Sequence, residues 1–403
     1  MNPEANGVSG DIVTTGQIMI QREMTYPEAA QCGTLAGQTL SNMITNNKAM
    51  QRTLLMRELL DLSLPYESIY WYLLVSTRSK TTMAGLVLIL NSLKDDPELT
   101  RQFCTCKAGR VVAGKIGEMF GESNDDEAQE KTLLYVILSG IIESGCLELL
   151  LTGDPEFEMY GFLGALAVYC NENTDPVAYE RVFSEALLDS LCTVLHKCRD
   201  FLAGVWQNDG DDTDMDAIIA AHRSLASAVS VLGTVTTDMT TRLASRVRQS
   251  SLIRQAVALL GLLSKELPRI EKASAGEALA QPASRDESIR RLFMFKRDLI
   301  MVMGNVAYGD RATQDLVREL DGLALVLDHM RIDENQPFIK EYAVVALRSL
   351  TEGNTANQEY VQGMTALEAV QNPELARAGI RTTIGADGRP SFQKIDRDSP
   401  GGS

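Results

Sequence analysis

Gly109-Arg110-Val111-Val112-Ala113-Gly114-Lys115 has the spacing with which a glycine-rich loop cradles phosphates, up to and including its lysine. That chemistry also needs a hydroxyl on the next residue to hold Mg²⁺, and the next residue is Ile116. A phosphate loop follows a buried strand, whereas Arg101 to Lys107 is polar and helix-like. Gly109 reads instead as a turn between two helices of a repeat. Asp212, Asp214 and Asp216 begin like a calcium loop, but Ala217 stands at the required glycine and Arg223 at the bidentate glutamate. They read as a solvated acidic loop.

Cys104-Thr105-Cys106 has the wrong spacing for a redox pair, and no second ligand pair for zinc accompanies it. His196, His222 and His329 fall on helices or at their ends, where a partly exposed surface histidine is the common case. No serine sits in a Gly-x-Ser-x-Gly elbow. The residue types therefore assemble no catalytic constellation, and the expectation is a protein without enzyme activity, cofactor or metal.

Composition narrows the partners. Against 38 Lys and Arg stand 54 Asp and Glu, a net charge of −16, with a pI near 4.8. Such a chain repels phosphate backbones and anionic headgroups, which argues against nucleic acid and leaves proteins, including ones with basic surfaces. Seven scattered cysteines, an odd count, suit a reducing compartment, and Cys146, Cys170, Cys192 and Cys198 lie in apolar helix-like surroundings. Met1-Asn2-Pro3-Glu4 begins no signal peptide, and the longest apolar runs, such as Met83 to Leu90, fall short of the ~18 residues of a membrane span. The chain reads as soluble and cytoplasmic, with no membrane insertion.

The elements that would position any functional residue are helices, and they repeat. Gly309-Asp310-Arg311-Ala312-Thr313-Gln314-Asp315-Leu316-Val317 recurs as Gly353-Asn354-Thr355-Ala356-Asn357-Gln358-Glu359-Tyr360-Val361, and 358 − 314 gives a period of 44 residues. Self-similarity at ~40–47 residues marks armadillo and HEAT architectures, whose units must stack to bury their apolar faces. The clear unit begins with Asp310 as an N-cap. Arg311 to Leu320 is a short helix ending at Asp321-Gly322, where the glycine is expected in the left-handed conformation. Leu323 to Met330 forms a second helix. Pro337 opens a third that is apolar nearly all round, so that Phe338 and its neighbours are expected to be buried.

Weaker echoes run upstream through Leu86 to Leu93, Asp96-Pro97, Gly161 to Tyr169, Pro176 to Leu195, Ala226 to Val235, Met239 to Val247 and Leu252 to Leu263. About six to eight helical units follow. The fold class is all-α, an armadillo/HEAT-like right-handed superhelical solenoid. Its expected divisions are a disordered N-terminus over 1–15, N-terminal repeats over 16–264, a linker over 265–290, a C-terminal domain over 291–396 and a disordered tail over 397–403. Arg381 to Ile384 and Ser391 to Ile395, with Asp387-Gly388 between, suggest a small β-hairpin despite Pro390.

The third helices of such repeats line a concave groove, which singles out Asn305, Tyr308, Lys340 and Arg348 as candidate partner-binding residues. Lys340 and Arg348 would meet a partner's carboxylates, or Lys340 would pair with a nearby acid of its own surface. Asn305 is expected to bond a backbone carbonyl in a neighbouring turn.

Gly304-Asn305-Val306-Ala307-Tyr308, Thr313 to Leu320, Ile332 to Ala343 and Glu352-Gly353-Asn354 with Asn357-Gln358 resemble the C-terminal domain of the ataxin-10 family. The resemblance is closest over about 293–361 and extends to 396. Lys340 stands where that family usually has arginine, Tyr342 where tryptophan is usual, and Asp321 where glycine is frequent. Lysine keeps the charge but not the planar fork for a carboxylate. The resemblance implies a non-catalytic armadillo-type scaffold of the cytoplasm, linked to cell division through cytokinesis. Two alternatives are an importin-type adaptor for basic peptides, against which the spacing of Trp71 and Trp206 argues, and a nucleotide enzyme using the Gly109–Lys115 segment.

Overall fold

A computed structural model describes residues 27–60, 68–122, 128–151, 160–207, 215–267, 269, 287–331, 333, 336, 338–364, 380–384 and 390–394. The expected disordered ends, the acidic loop as far as Asp214, most of the 265–290 linker, Pro337 and Asp387-Gly388 lie outside those residues.

The helices come in recurring sets. α1 (Pro27–Ile44) precedes α2 (Lys48–Leu55, continued by a π turn over Met56–Leu60), α3 (Ile69–Leu74) and α4 (Ser79–Leu93). Next come α5 (Pro97–Thr105), α6 (Lys107–Glu122) and α7 (Ala128–Glu143), then the shorter pair α8 (Leu147–Leu151) and α9 (Tyr160–Glu172). α10 (Pro176–Val182), α11 (Glu185–Gln207) and α12 (Met215–Thr237) form a further set, as do α13 (Thr241–Gln249), α14 (Leu252–Glu266) and α15 (Glu287–Ala307). α16 (Arg311–Glu319), α17 (Gly322–Asp328) and α18 (Ile339–Thr351) complete the last full set, and α19 (Thr355–Gly363) opens another. Two strands, β1 (Ile380–Ile384) and β2 (Pro390–Lys394), pair antiparallel with Thr382 opposite Phe392. The all-α class and the hairpin read from the sequence both hold.

One local device starts most sets. A residue in the left-handed region ends the preceding helix, and the next residue caps the following one. Asn46-Asn47, Asp95-Asp96, Gly309-Asp310 and Gly353-Asn354 all do this, with φ of 57°, 57°, 64° and 67° at the first member. The caps accept backbone N–H groups at 3.2 Å (Asn47 from Met50), 3.1 Å (Asp96 from Leu99), 3.0 Å (Asp310 from Thr313) and 3.0 Å (Asn354 from Asn357). Each satisfies one of the donors that a helix start leaves free. The interval is 95 − 46 = 49 residues upstream and 353 − 309 = 44 at the C-terminal end.

The long third helices run parallel and pack on one another. Asn91 of α4 donates to Ser41 of α1 at 2.7 Å, and Arg223 of α12 stacks over Tyr160 of α9 at 5.2 Å. Arg297 of α15 stacks over Tyr342 of α18 at 5.4 Å. Gly304 lets α15 and α18 touch, because a Cβ there would lie 2.8 Å from Ala346 Cα. A continuous apolar core follows the whole stack from Ile44 to Leu350.

Polar groups lock the last junction. Gln314 Nε2 donates to Ser349 O at 2.8 Å and to Glu352 O at 3.2 Å, both at the end of α18. Asn357, fully buried, donates to Leu350 O at 2.7 Å and Gln314 O at 3.1 Å, while its own amide oxygen accepts from Arg318.

Several expectations are corrected. Gly109 lies inside α6, not in a turn, and Asp321 rather than Gly322 takes the left-handed φ, of 60°. Ala217–Thr237 of α12 is long and apolar enough to cross a membrane by composition, contrary to the reading of its apolar runs, yet 56% of its most apolar stretch is buried within the fold. The largest correction concerns α18. Ile339, Ala343, Ala346 and Leu350 are buried, but Phe338 is 65% exposed and Val345 64%. α15 covers one flank of α18, and among the described residues no further third helix covers the other.

Truncation of Phe338 therefore removes little buried surface, and Phe338→Ala should change stability by no more than about 0.5 kcal/mol. Asn357→Ala strips two buried carbonyls of their donor and should cost about 1–3 kcal/mol. Urea unfolding of both variants checks the contrast, which fails if Phe338→Ala proves the more damaging.

Candidate functional site

The sequence motifs with catalytic overtones dissolve in the fold. Gly109 to Lys115 is continuous α-helix, so its N–H groups are not free to cradle phosphate, and Lys115 Nζ pairs with Glu118 at 2.8 Å. Asp212 and Asp214 lie outside the described residues, and Asp216 falls in the first turn of α12. All seven cysteines are free thiols. Burial pushes Cys170 and Cys198 up to about 12, which makes them poor nucleophiles at neutral pH. Among the described residues no group of three or more metal-ligating side chains converges.

His196 is exposed beside Asp200, at 3.4 Å, as a surface histidine would be. His222 and His329 differ from expectation in being buried. His222 packs on Phe295 with ring centroids 5.4 Å apart. His329 donates from Nδ1 to Leu325 O at 2.8 Å and places its other ring nitrogen 3.4 Å from Ser264 Oγ. Desolvation holds its pKa below the ordinary histidine value, reinforced by nearby Lys296 and opposed by that hydrogen bond and by Asp328 and Asp333. Lys296 itself is buried, donates to Leu267 O and has its pKa lowered by desolvation, against the opposing pull of Asp333 and Asp328. These groups pin the end of α14 to the segment between α17 and α18. They form a structural rivet.

The four residues singled out for partner binding separate into two kinds. Asn305 is half-buried in α15 and its amide donates across to Thr236 Oγ1 of α12 at 3.4 Å. It therefore ties neighbouring third helices together through a side-chain hydroxyl and not through a backbone carbonyl. Tyr308, just beyond α15, holds its carbonyl to Arg248 Nη2 at 2.9 Å and leaves its side chain exposed.

Lys340 and Arg348 are both exposed on α18, and neither forms an ion pair among the described residues. Among the described residues no local acid engages Lys340 as the expected alternative partner. Eight residues apart, with exposed Val344 midway, they make an i, i+4, i+8 stripe along the helix. Phe338 and Val345, seven residues apart, lie on an adjoining exposed line. Tyr308 lies at the end of the neighbouring α15.

Sequence reasoning missed the exposure of Phe338 and Val345 because a helix apolar nearly all round was read as buried on most sides, and it did not single out Val344. Trp71 and Trp206 sit on α3 and α11, the second helices of their sets, and so do not form a tryptophan ladder on third helices.

Comparison with known proteins singles out the same region. The spinocerebellar ataxia type 10 protein domain matches residues 295–393. The ataxin-10 homolog of Dictyostelium discoideum is 36% identical over 103 residues, covering 26% of this chain and 17% of that protein. Ataxin-10 of Xenopus tropicalis is 47% identical over 87 residues, 22% of this chain and 18% of its own. Ataxin-10 of Homo sapiens is 34% identical over 110 residues, 26% of this chain and 22% of its own. The match thus spans about a fifth of these relatives' lengths and lies in the part of this chain that holds α15 to α19.

The rivet gives a pH dependence. A histidine whose folded pKa lies below its unfolded value of about 6.5 binds its proton more readily in the unfolded chain, so stability falls as pH drops through and below ~6.5. Above that value the term vanishes. The loss should approach at most about 1.4 kcal/mol per pH unit, and His329→Asn should flatten the slope between pH 7 and 5. Melting curves across that range test this, and an unchanged slope in the variant contradicts the assignment.

Proposed function

We infer, from the match of residues 295–393 to the ataxin-10 domain and the similarity of that region to ataxin-10 proteins, that this chain is a non-catalytic interaction scaffold whose C-terminal repeat presents the partner-binding face. In this reading the stacked helices continue as a right-handed armadillo-type superhelix, and the protein acts in the cytoplasm during cell division. The role in cytokinesis rests on the resemblance alone.

The observation that carries the reading is the outward face of α18. Lys340 and Arg348 project from it without an ion-pair partner among the described residues, and Phe338, Val344 and Val345 leave apolar surface beside them. Large apolar groups and arginine are the residue types that anchor protein interfaces, and two cations favour a partner surface carrying carboxylates. Tyr308 supplies an aromatic side chain near the end of the adjacent helix. Asn305 supports the face from beneath by holding α15 against α12.

Cross-linking mass spectrometry of the tagged full chain from dividing cells identifies the partner. Lys340→Ala combined with Arg348→Ala should lower its recovery about tenfold or more while leaving the melting temperature unchanged, since both side chains are exposed. Phe338→Ala should do the same. Unchanged cross-links in both backgrounds would place the binding face elsewhere. The enzymatic alternative is separated by millimolar ATP or GTP. Neither should raise the melting temperature, because a ligand bound to the folded state stabilises it by roughly 2.7 kcal/mol at one hundred times its dissociation constant.

A further inference from the structure

We propose that the cleft between the C-terminal halves of α4 and α7 binds a lysine- or arginine-rich segment of a partner protein, with one apolar side chain of that segment seated against Val136. The proposal rests on the scaffold reading but concerns a different face, far along the stack from α18.

The floor of the cleft is apolar. Leu90 of α4 and Val136 and Ile137 of α7 line it, and Val136 is 41% exposed. Gly140 lines it too, one turn after Val136, and a Cβ at Gly140 would meet nothing within 4 Å. Glycine in mid-helix costs about 1 kcal/mol relative to alanine. Packing does not require it at this position, and its effect is to keep the cleft open. A leucine- or methionine-sized side chain of a partner would gain contact with Val136 and the space above Gly140.

The rim supplies the charge that selects the occupant. α4 and α7 end side by side, and neither has a basic residue in its last turn, so the negative ends of two helix dipoles converge there, with Lys94, the residue that follows α4, as the cation of their own sequence beside them. The carboxylates of Asp95 and Glu143 stand at those ends and make no hydrogen bond or ion pair among the described residues. Asp96, also at the rim, is occupied as the cap of α5. Lys94 is the cation lining the cleft, and Lys48 Nζ reaches the Asp95 carbonyl at 3.2 Å. At the other end of the stack, by contrast, arginines serve the third-helix ends. Arg248 donates to Val306 O and Tyr308 O, and Arg348 lies in the last turn of α18. An apolar floor beneath carboxylates and helix C-termini fits a basic peptide with an apolar residue between its cations. The net charge of −16 would steer such a partner inward.

The test uses the full chain and a fluorescein-labelled peptide of lysine and glycine with a single central leucine, followed by anisotropy at two ionic strengths. Two control peptides replace the leucine by glycine or the lysines by glutamate. The leucine peptide should bind and weaken as salt rises, the glycine peptide should bind about tenfold more weakly, and the glutamate peptide should not bind. Asp95→Asn with Glu143→Gln, chosen because asparagine tolerates the left-handed φ of 57° at position 95, should weaken the leucine peptide about tenfold. Gly140→Leu should abolish the advantage of the leucine peptide over the glycine peptide. Should that variant misfold, Val136→Thr at the exposed floor position provides the same readout. Equal binding of the leucine and glycine peptides, unaltered binding by the double variant, or no binding at all overturns the cleft. Those results leave the Lys340 and Arg348 cross-links unaffected, and loss of those cross-links with peptide binding intact overturns the C-terminal face instead.

Discussion

Every third helix ends by leaving up to four carbonyl groups without an intrahelical donor, and the stack depends on how those carbonyls are served. The chain cannot expose them to water where the next set begins, because the following short helix docks over the same end. At the last full set the donors are supplied by side chains from neighbouring helices. Gln314 reaches Ser349 O and Glu352 O, Asn357 reaches Leu350 O, Gln358 reaches Thr351 O at 2.9 Å and Arg311 reaches Gly353 O at 3.1 Å. One set earlier, Arg248 serves Val306 O and Tyr308 O. The repeated Gly-Asp/Asn and Gln positions seen in the sequence are therefore a single solution to one accounting problem. The glycine allows the reversal, the acid or amide starts the next helix, and both glutamines, Gln314 and Gln358, serve carbonyls at the end of α18.

This arrangement couples neighbouring sets more through backbone than through side-chain packing alone. Asn357 links the end of α18 to both α16 and α19, and Arg318 and Asp315 extend the same network to Asn354 and Asn357. The hydrogen bond from Asn354, followed by that from Arg318, holds the Asp315 carboxyl below its ordinary pKa. The network is directional and anchored on the buried Asn354 and Asn357, so it fixes the register of the short helices against the long one. Position along the stack is then inherited by whatever the long helices expose, which is how residues as distant in sequence as Tyr308 and Arg348 come to occupy adjoining helix ends.

Features controlled by local chemistry were legible in the sequence. Asp310 as a cap, Asp96 with Pro97, the short–short–long plan after residue 309 and the hairpin between 380 and 394 all follow from side chains acting within a few residues of themselves. Features controlled by neighbours were not. Gly109 and Gly322 look like turn glycines, yet both lie in helices, because Cys106 and Asp321 take the chain round instead. His222 and His329 look like surface groups until α15 and α14 cover them. Asn305 looks as though it should serve a carbonyl, but the hydroxyl of Thr236 lies across the helix interface. Phe338 illustrates the limit most directly. An apolar helix is buried only if something lies on each side of it, and periodicity within the helix carries no information about whether a further helix follows.

That limit also separates the two ends of the stack chemically. A third helix in the middle has another third helix on each flank, so its apolar residues are taken up by packing. α18 has one described neighbour among the third helices and thus presents a broader surface, on which apolar and cationic side chains mix. Near the other end the flanks are filled, and what distinguishes the α4–α7 pair is a missing side chain at Gly140 and helix ends without a basic last turn beside Asp95 and Glu143. The first surface arises because no described third helix covers that flank of α18, the second because a side chain is lacking between neighbours. The two differ in charge through the side chains they carry, because Lys340 and Arg348 project from α18 whereas Asp95 and Glu143 stand where α4 and α7 end. A chain built from one repeated plan thereby acquires two chemically distinct faces without changing its fold.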